Sequence, residues 1–146
     1  MSEETEQEQI GGRRTPLVAV LARRIDFAIL ALLAYLPALF SSPGRMPADT
    51  KLYLYTDPGG LIDRAASTFE PDQLAGWVPH QQITYLWPSG PWFWVFDALA
   101  VPDWIAHRLW IGSIMFAAGA GARHCARHLG HGGAAALAAA AVYQLS

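Results

Sequence analysis

A hydrophobic run from Ile25 to Phe40, IDFAILALLAYLPALF, places the strongest constraint on the fold, because such a run is typical of a helix in a lipid bilayer. At a helical rise of about 1.5 Å per residue, the run covers roughly 24 Å of a bilayer core about 30 Å thick. Arg23 and Arg24 precede it, and their long side chains can reach the headgroups and lengthen the segment. The run is therefore predicted to be a first membrane span.

Two further segments are predicted to be spans. The segment from Trp104 to Ala122 has about the right length to cross a bilayer, and Gly119 and Gly121 near its end would allow close helix packing. A third apolar segment begins near residue 132 and reaches Ser146 without a polar flank. We expect the chain to be the N-terminal part of a longer protein or a truncated reading frame. The predicted spans cover about residues 25–40, 104–122 and 132–146, the last truncated.

The composition agrees with a membrane protein and excludes some other classes. The 146 residues are 53% hydrophobic and only 15% charged, whereas soluble domains have about 25% charged residues. A net charge of −2 provides no basic field for nucleic acid. The single cysteine, Cys125, excludes an internal disulfide framework. The polar and acidic residues 1–16 are predicted to form a short disordered tail.

Arginines predict the orientation in the membrane, because positive residues favour the cytoplasmic side. They stand before the first span and after the second: Arg13, Arg14, Arg23 and Arg24, then Arg123 and Arg127. The prediction is a multi-pass plasma-membrane protein with a cytoplasmic N-terminus and an extracytoplasmic loop over about 41–103. Within that loop, apolar residues recur at helical spacing from Leu61 to Phe69, which predicts a short amphipathic helix on the membrane surface.

Three charged residues near the predicted span ends are candidates for chemistry. Asp49 and Lys51 are either solvated polar residues that end a membrane helix, or a base and a phosphate-binding cation at the membrane face. Arg108 lies at the outer end of the second span, where an arginine either extends to the interface or holds an anionic group. Charge and spacing leave both interpretations open for each residue.

Aromatic and histidine residues carry weaker signals. All six tryptophans lie between Trp77 and Trp110, which is typical of interface anchors, although sugar or polyprenyl binding uses the same rings. His124 and His128 stand at i,i+4 and could share a metal, but we expect no metal site in a segment of this kind. The sequence contains no nucleotide-binding glycine motif, serine elbow or metalloprotease motif.

The predicted outer loop resembles the start of the actinobacterial α-(1→3)-arabinofuranosyltransferases, large membrane enzymes with an N-terminal GT-C glycosyltransferase domain. The likeness runs from about residue 25 to the end of the chain and lies in an ordered set of short motifs. These are Asp49, Lys51, Pro58, Arg64 with Ala65, Phe69 with Pro71, Gly76, Gln81, the stretch Tyr85 to Phe93, and Arg108-Leu109-Trp110. The chain departs from the family pattern at His80, Ile83 and Thr84, where relatives tend to have Asn-Gln followed by Tyr-Gly-Tyr.

The resemblance implies an all-α membrane protein in which residues 17–146 are the N-terminal part of a polytopic GT-C-type helical bundle. It implies transfer of arabinofuranose from a decaprenyl-phosphoryl-arabinose-type lipid donor to an arabinan acceptor of the cell wall. By carry-over, Asp49 is the catalytic base. Lys51 and Arg108 would hold the leaving phosphate, and His80, Gln81 and Tyr85 would line the sugar pocket.

Two alternatives stay open. The chain could be a non-catalytic membrane scaffold or accessory subunit. Within the enzyme class, a mannosyltransferase that uses polyprenyl-phosphate mannose is the nearest competitor, because no residue reads the stereochemistry of the sugar. No cofactor is required by the sequence, and a need for a divalent metal is left undecided. A piece with two and a half spans is expected to be inactive alone.

Overall fold

The computed structural model describes residues 16–46, 53–64 and 86–146, together with Ser67, Phe69 and Gly76. Every regular element within these ranges is a helix, so the predicted all-α class is confirmed for the described part of the chain. The helices are α1 (Pro16–Phe40), α2 (Tyr53–Thr56), α3 (Pro58–Arg64), α4 (Ser89–Ala98), α5 (Asp103–His128) and α6 (Gly133–Leu145).

The three predicted spans coincide with parts of α1, α5 and α6. Helix α1 begins at Pro16, well before the predicted start at Ile25, and a proline is well suited to a first helical position. It ends where Ser42 and Gly44 adopt positive φ angles of 48° and 75°. None of the helices in the described ranges combines the length and the apolar character that crossing a membrane requires.

The chain forms two compact units, of which the first comprises residues 1–34 and 115–146. In its described part, small residues allow close packing: Ala34, Ala136 and Ala140 have no exposed surface. Gln144 continues the same face of α6 and donates a hydrogen bond from Nε2 to the Leu30 carbonyl oxygen over 2.9 Å. A buried amide that reaches a carbonyl of α1 fixes how α6 sits against that part of α1.

A second polar contact in this unit joins α1 to the end of α5. Arg123 donates from Nε to Asp26 Oδ2 over 3.0 Å, and its Nη2 donates to the same oxygen. The two side chains are only 11% and 17% exposed. Phe27 and Phe116 pack edge to face beside this pair, with ring centroids 6.3 Å apart.

The second unit comprises residues 35–114, and its core forms where α2, α3 and α4 meet the first turns of α5. Its buried members are Leu54, Leu61, Phe93 and Ala106. Trp92 extends this core, because its Nε1 donates to the Ala106 carbonyl oxygen over 3.1 Å. Helix α4 was not foreseen from the sequence, where the prolines and glycines around residues 88–91 suggested loop.

The amphipathic helix predicted from Leu61 to Phe69 is shorter than expected, because α3 ends at Arg64. The backbone N–H of Ser67 donates to the Arg64 carbonyl oxygen over 2.8 Å. The Ser67 hydroxyl donates to the Phe69 carbonyl oxygen and accepts from the Phe69 N–H. A serine that binds nearby backbone in this way offers the chain an alternative to helix. Leu61 is buried while Asp63 and Arg64 are exposed, so α3 is amphipathic as predicted.

One carboxyl group of the second unit has a shifted pKa. Asp103 lies in the first turn of α5, where burial, and next the charge of Asp97, raise the pKa of its carboxyl above 3.8. The folded chain therefore holds this proton more tightly than the unfolded chain does. The stabilisation that follows is present at pH values below 3.8 and is lost as the pH rises through the folded-state pKa.

Gly119→Ala is expected to destabilise the first unit by about 1–3 kcal/mol. A methyl group at Gly119 would overlap the Gln144 Oε1 and lie 3.1 Å from Gln144 Cδ, so the buried amide would have to move. Gly121→Ala is the matched control on the same helix, because a methyl group there meets nothing within 4 Å. It should be neutral or stabilise by up to about 1 kcal/mol. Denaturant unfolding followed by circular dichroism compares them, and equal stability of the two variants would contradict this packing.

Asp97→Asn is expected to lower the pKa of Asp103, because it removes the like charge that contributes to the shift. The pKa should stay above 3.8, since burial is the larger cause. An NMR titration of the Asp103 carboxyl measures both values. Asp63→Asn, an exposed substitution on α3, is the control. An unchanged Asp103 pKa in Asp97→Asn, or an equal change in Asp63→Asn, would show that Asp97 is not the cause.

Candidate functional site

Arg108 is the one predicted site residue that falls within the described part of the chain. Asp49, Lys51, His80, Gln81 and Tyr85 lie outside the described residues, so their predicted roles stay predictions. The candidate site is therefore built from Arg108 and from its described neighbours in the second unit.

Arg108 stands in the second turn of α5, half-buried. Its Nη2 donates to the Arg45 carbonyl oxygen over 3.3 Å. A short turn that follows α1 presents this carbonyl, since the Arg45 N–H donates to the Ser42 carbonyl oxygen over 3.2 Å. Gly44 occupies the left-handed conformation in that turn, with φ 75°, which a residue with a side chain would adopt only with strain. The sequence thus places the guanidinium against the backbone just before the segment that contains Asp49.

The hydrogen bonding of Arg108 is incomplete among the described residues. Its Nε is buried and has no hydrogen-bond acceptor among the described residues. A buried charged donor without an acceptor is costly, so native proteins seldom leave one. A guanidinium fixed by one backbone carbonyl, with further N–H groups available, has the fork geometry that binds phosphate.

A tyrosine and a histidine next to Arg108 form a pair that the sequence reasoning missed. The Tyr55 hydroxyl and His107 Nδ1 are 3.1 Å apart, and either can donate, depending on the histidine tautomer. Their rings meet edge to face at 5.9 Å, and Tyr55 packs in the same way on Phe93 at 5.0 Å. The sequence feature that could have pointed to this pair is a histidine beside an arginine in the apolar stretch WIAHRLW. The pair brings two proton-exchanging groups beside the turn of α5 that carries Arg108.

Four tryptophans of the described residues divide into two groups, only one of which matches the predicted role of interface anchors, and Trp77 lies outside the described residues. Trp92 and Trp110 lie 5.4 Å apart between ring centroids and pack on the buried core. Trp87 and Trp94 are 76% and 49% exposed, as an anchor in a membrane interface would be. The first two rings therefore have a packing role within the second unit.

Asp57 has a structural role that separates it from Asp49. Its Oδ1 accepts the Gly60 backbone N–H over 2.8 Å, and its Oδ2 lies 3.4 Å from Arg64 Nη2. A carboxylate that accepts a free N–H in the first turn of a helix caps that helix. Asp57 therefore caps α3, whereas the role of Asp49, which lies outside the described residues, stays a prediction.

The two histidines considered as metal ligands lie in the first unit. The rings of His124 and His128 are 4.4 Å apart between centroids and are tilted by 41°. In the part of the chain that the structure describes, no group of three or more histidine, cysteine or acidic side chains could hold a metal ion.

Comparison with known proteins confirms the family resemblance. The model of a family described as α-(1→3)-arabinofuranosyltransferase, N-terminal GT-C domain, matches residues 32–146. An α-(1→3)-arabinofuranosyltransferase of Mycobacterium tuberculosis is 31% identical over 118 residues, which are 81% of this chain and 8% of that protein. The α-(1→3)-arabinofuranosyltransferase of Mycolicibacterium smegmatis is 35% identical over 106 residues, 72% of this chain and 8% of that protein. No solved structure matches the chain significantly.

The match covers most of this chain and a small part of its relatives, which are far longer proteins. The chain spans about 8% of the length of the two relatives. The matched range, residues 32–146, covers the positions of Arg108, Tyr55, His107, Asp49 and Lys51. The chain belongs to the family of α-(1→3)-arabinofuranosyltransferase N-terminal GT-C domains.

Proposed function

We propose that this chain is the N-terminal portion of a membrane glycosyltransferase that transfers arabinofuranose from a polyprenyl-phosphate donor to cell-wall arabinan. Membership in the family supports the reaction class, and both relatives are named arabinofuranosyltransferases. The lipid-linked donor of the decaprenyl-phosphoryl-arabinose type is part of the proposal, as is the arabinan acceptor. The 146 residues alone are not expected to catalyse transfer.

The position of Arg108 carries the proposal. Its guanidinium is bonded to the Arg45 carbonyl oxygen and retains a buried Nε without a described acceptor. Asp49 follows Arg45 by four residues in the sequence, and four residues span at most about 14 Å of extended chain. This connectivity supports a site in which a phosphate-binding cation and a carboxylate base serve the same substrate.

In the proposed reaction, a carboxylate base activates the acceptor and two cations stabilise the leaving phosphate. The Asp49 carboxylate takes the proton from an acceptor hydroxyl, and the resulting oxygen nucleophile forms a bond to the anomeric carbon of the donor. The bond between that carbon and the phosphate oxygen breaks, and the polyprenyl phosphate leaves with the bonding electrons. Arg108 and Lys51 stabilise the negative charge that develops on the leaving phosphate. His80, Gln81 and Tyr85 are proposed to line the sugar pocket.

A location in the plasma membrane belongs to the proposal because a polyprenyl-linked donor resides in the bilayer. The exposed apolar face of α1 supports it. Leu21, Ile25, Ile29, Leu32, Leu36 and Phe40 follow one another at intervals of three or four residues and are between 37% and 75% exposed. An apolar stripe of this length on a helix needs an apolar environment. The proposed orientation has a cytoplasmic N-terminus and an extracytoplasmic loop over about 41–103.

Asp49→Asn is expected to abolish transfer, because the amide cannot accept the proton of the acceptor hydroxyl. The loss should be about 10²- to 10⁴-fold in kcat. The assay follows labelled arabinose from decaprenyl-phosphoryl arabinose in membranes carrying the longest reading frame that contains this chain. Asp63→Asn, on the exposed face of α3, is the control at matched expression.

The outcomes of this assay separate the alternatives. Transfer that survives in Asp49→Asn would make Asp49 a solvated loop residue. Transfer of mannose but not arabinose by the wild-type protein would replace the proposed donor with polyprenyl-phosphate mannose. Activity with neither donor would favour a non-catalytic scaffold.

Arg108→Gln is expected to lower kcat/KM for the lipid donor by about 10²-fold, because one phosphate-stabilising cation is lost. Arg45→Gln is its matched control, since Arg45 contributes its backbone carbonyl to the contact and the substitution keeps that carbonyl. The variant pair is measured in the same membranes, with the KM for donor determined separately from kcat. Equal activity of Arg108→Gln and wild type would remove the phosphate role and leave Arg108 as a packing residue.

A further inference from the structure

A cavity of about 490 Å³ opens in the first unit, between the part of α1 before Leu30 and the end of α5. Its volume lies in the range of sites for small molecules. The charged and titratable side chains that line it are Arg23, Asp26, Arg123, His124, Arg127 and His128. The proposed transferase chemistry uses none of these side chains.

The cavity has a fixed wall. The Arg123 guanidinium is held by Asp26 through two donors on one carboxylate oxygen, and both side chains are largely shielded from solvent. Phe27 supports the same wall, with the guanidinium carbons of Arg23 and Arg123 at 5.8 Å and 5.2 Å from its ring centroid. These distances suit cation–π contact. The wall is therefore organised before any ligand arrives.

The charge of the lining favours an anion. Three arginines and one carboxylate leave two positive charges in excess, with both histidines counted as neutral. Asp26 compensates Arg123, whereas Arg23 and Arg127 have no carboxylate partner within the described residues. Arg127 donates one N–H from Nη1 to the His131 carbonyl oxygen over 2.9 Å, which steadies the side chain while its other donors stay available.

We propose that this cavity binds a phosphate group, with Arg23 and Arg127 as the binding cations and His124 and His128 as further hydrogen-bonding groups. The guanidinium fork matches phosphate oxygens better than it matches a spherical anion. A cavity of about 490 Å³ has space for the phosphate and for the group that carries it, either a lipid glycerol or a soluble ester. The proposal does not rest on the proposed transferase function.

Binding of two phosphate probes to the 146-residue chain in a neutral detergent tests the proposal. The probes are inorganic pyrophosphate and monomeric dihexanoyl phosphatidylglycerol, with dihexanoyl phosphatidylcholine as the zwitterionic comparison. Titration calorimetry should give saturable binding for at least one anionic probe. Arg23→Gln and Arg127→Gln should each weaken it by about tenfold, as the loss of a charged hydrogen bond does.

Arg24→Gln is the matched control, because Arg24 is exposed on the same helix as Arg23 and does not line the cavity. It should change the affinity by less than about twofold. Circular dichroism verifies that each variant keeps its helical content. Binding of phosphatidylglycerol alone identifies a lipid headgroup as the source of the phosphate, and binding of pyrophosphate alone identifies a soluble phosphate.

Two outcomes would overturn the proposal. The first is that neither anionic probe binds the wild-type chain saturably up to millimolar concentration. The second is that Arg24→Gln weakens binding as much as Arg127→Gln does, because binding would then reflect the general charge of the helix ends. Phosphatidylcholine binding as tight as that of phosphatidylglycerol would likewise show that the cavity does not select a phosphate with net charge.

Discussion

The ion pair between Asp26 and Arg123 is the contact on which the described part of the first unit depends. The two residues are 97 positions apart in the sequence, and both side chains are mostly removed from water. Breaking a buried pair by removing one partner typically costs about 3–5 kcal/mol, because a charge is left without compensation. Replacing the whole pair with apolar side chains often costs little, so the value of such a pair lies in fixing the register of its helices. Here it also forms the wall of the basic cavity.

In the second unit, polar groups lie directly beside a buried apolar core. Phe93 and Leu54 are almost fully buried, and Tyr55 packs on Phe93 while its hydroxyl lies 3.1 Å from His107 Nδ1. Arg108 follows His107 directly and turns its guanidinium towards the Arg45 backbone. A low-dielectric neighbour strengthens the attraction of a cation for phosphate, since less of its field is screened by water. In the proposed site, the packing of α4 on α5 would therefore strengthen the attraction of Arg108 for an anionic group.

The sequence predicted the elements that obey a simple period and missed those that depend on local exceptions to it. The apolar run after Arg24 and the segment after Asp103 each lie in a long helix, as their composition indicated. Helix α4 was missed because Pro88 and Pro91 suggest loop, although a proline is tolerated in a first helical turn. Beyond the end of α3, the Ser67 hydroxyl bonds to the Phe69 backbone, a local competition with helix that periodicity does not detect.

In the candidate site, the sequence identifies a charged residue but not the contacts that this residue makes. Arg108 was identified by its charge in an apolar segment and by its match to a family motif, both of which are properties of the sequence. Arg108 contacts the carbonyl of Arg45, which lies 63 positions away in the sequence. Tyr55 and His107 are 52 positions apart. Both contacts follow only from tertiary packing. The position of Arg123 after the second predicted span indicates the cytoplasmic side, and the sequence does not show that Asp26, 97 residues away, is its partner. The sequence does contain one indication of this pair. Asp26 is an acid within the otherwise apolar run IDFAIL, and an acid in a packed helix needs a partner.

The two proposed phosphate-binding places differ in a way that follows from burial. Arg108 is half-buried, fixed by a backbone carbonyl and left with a desolvated Nε, so a phosphate there would meet a cation that is already oriented and poorly screened. Arg23 and Arg127 are exposed at the rim of an open cavity, so a phosphate there would exchange with solvent ions and its affinity would fall with salt. The first arrangement suits stabilisation of charge during a reaction, and the second suits reversible binding. The two proposed sites would thus hold the same chemical group for two purposes, and the difference lies in how far each guanidinium is withdrawn from water.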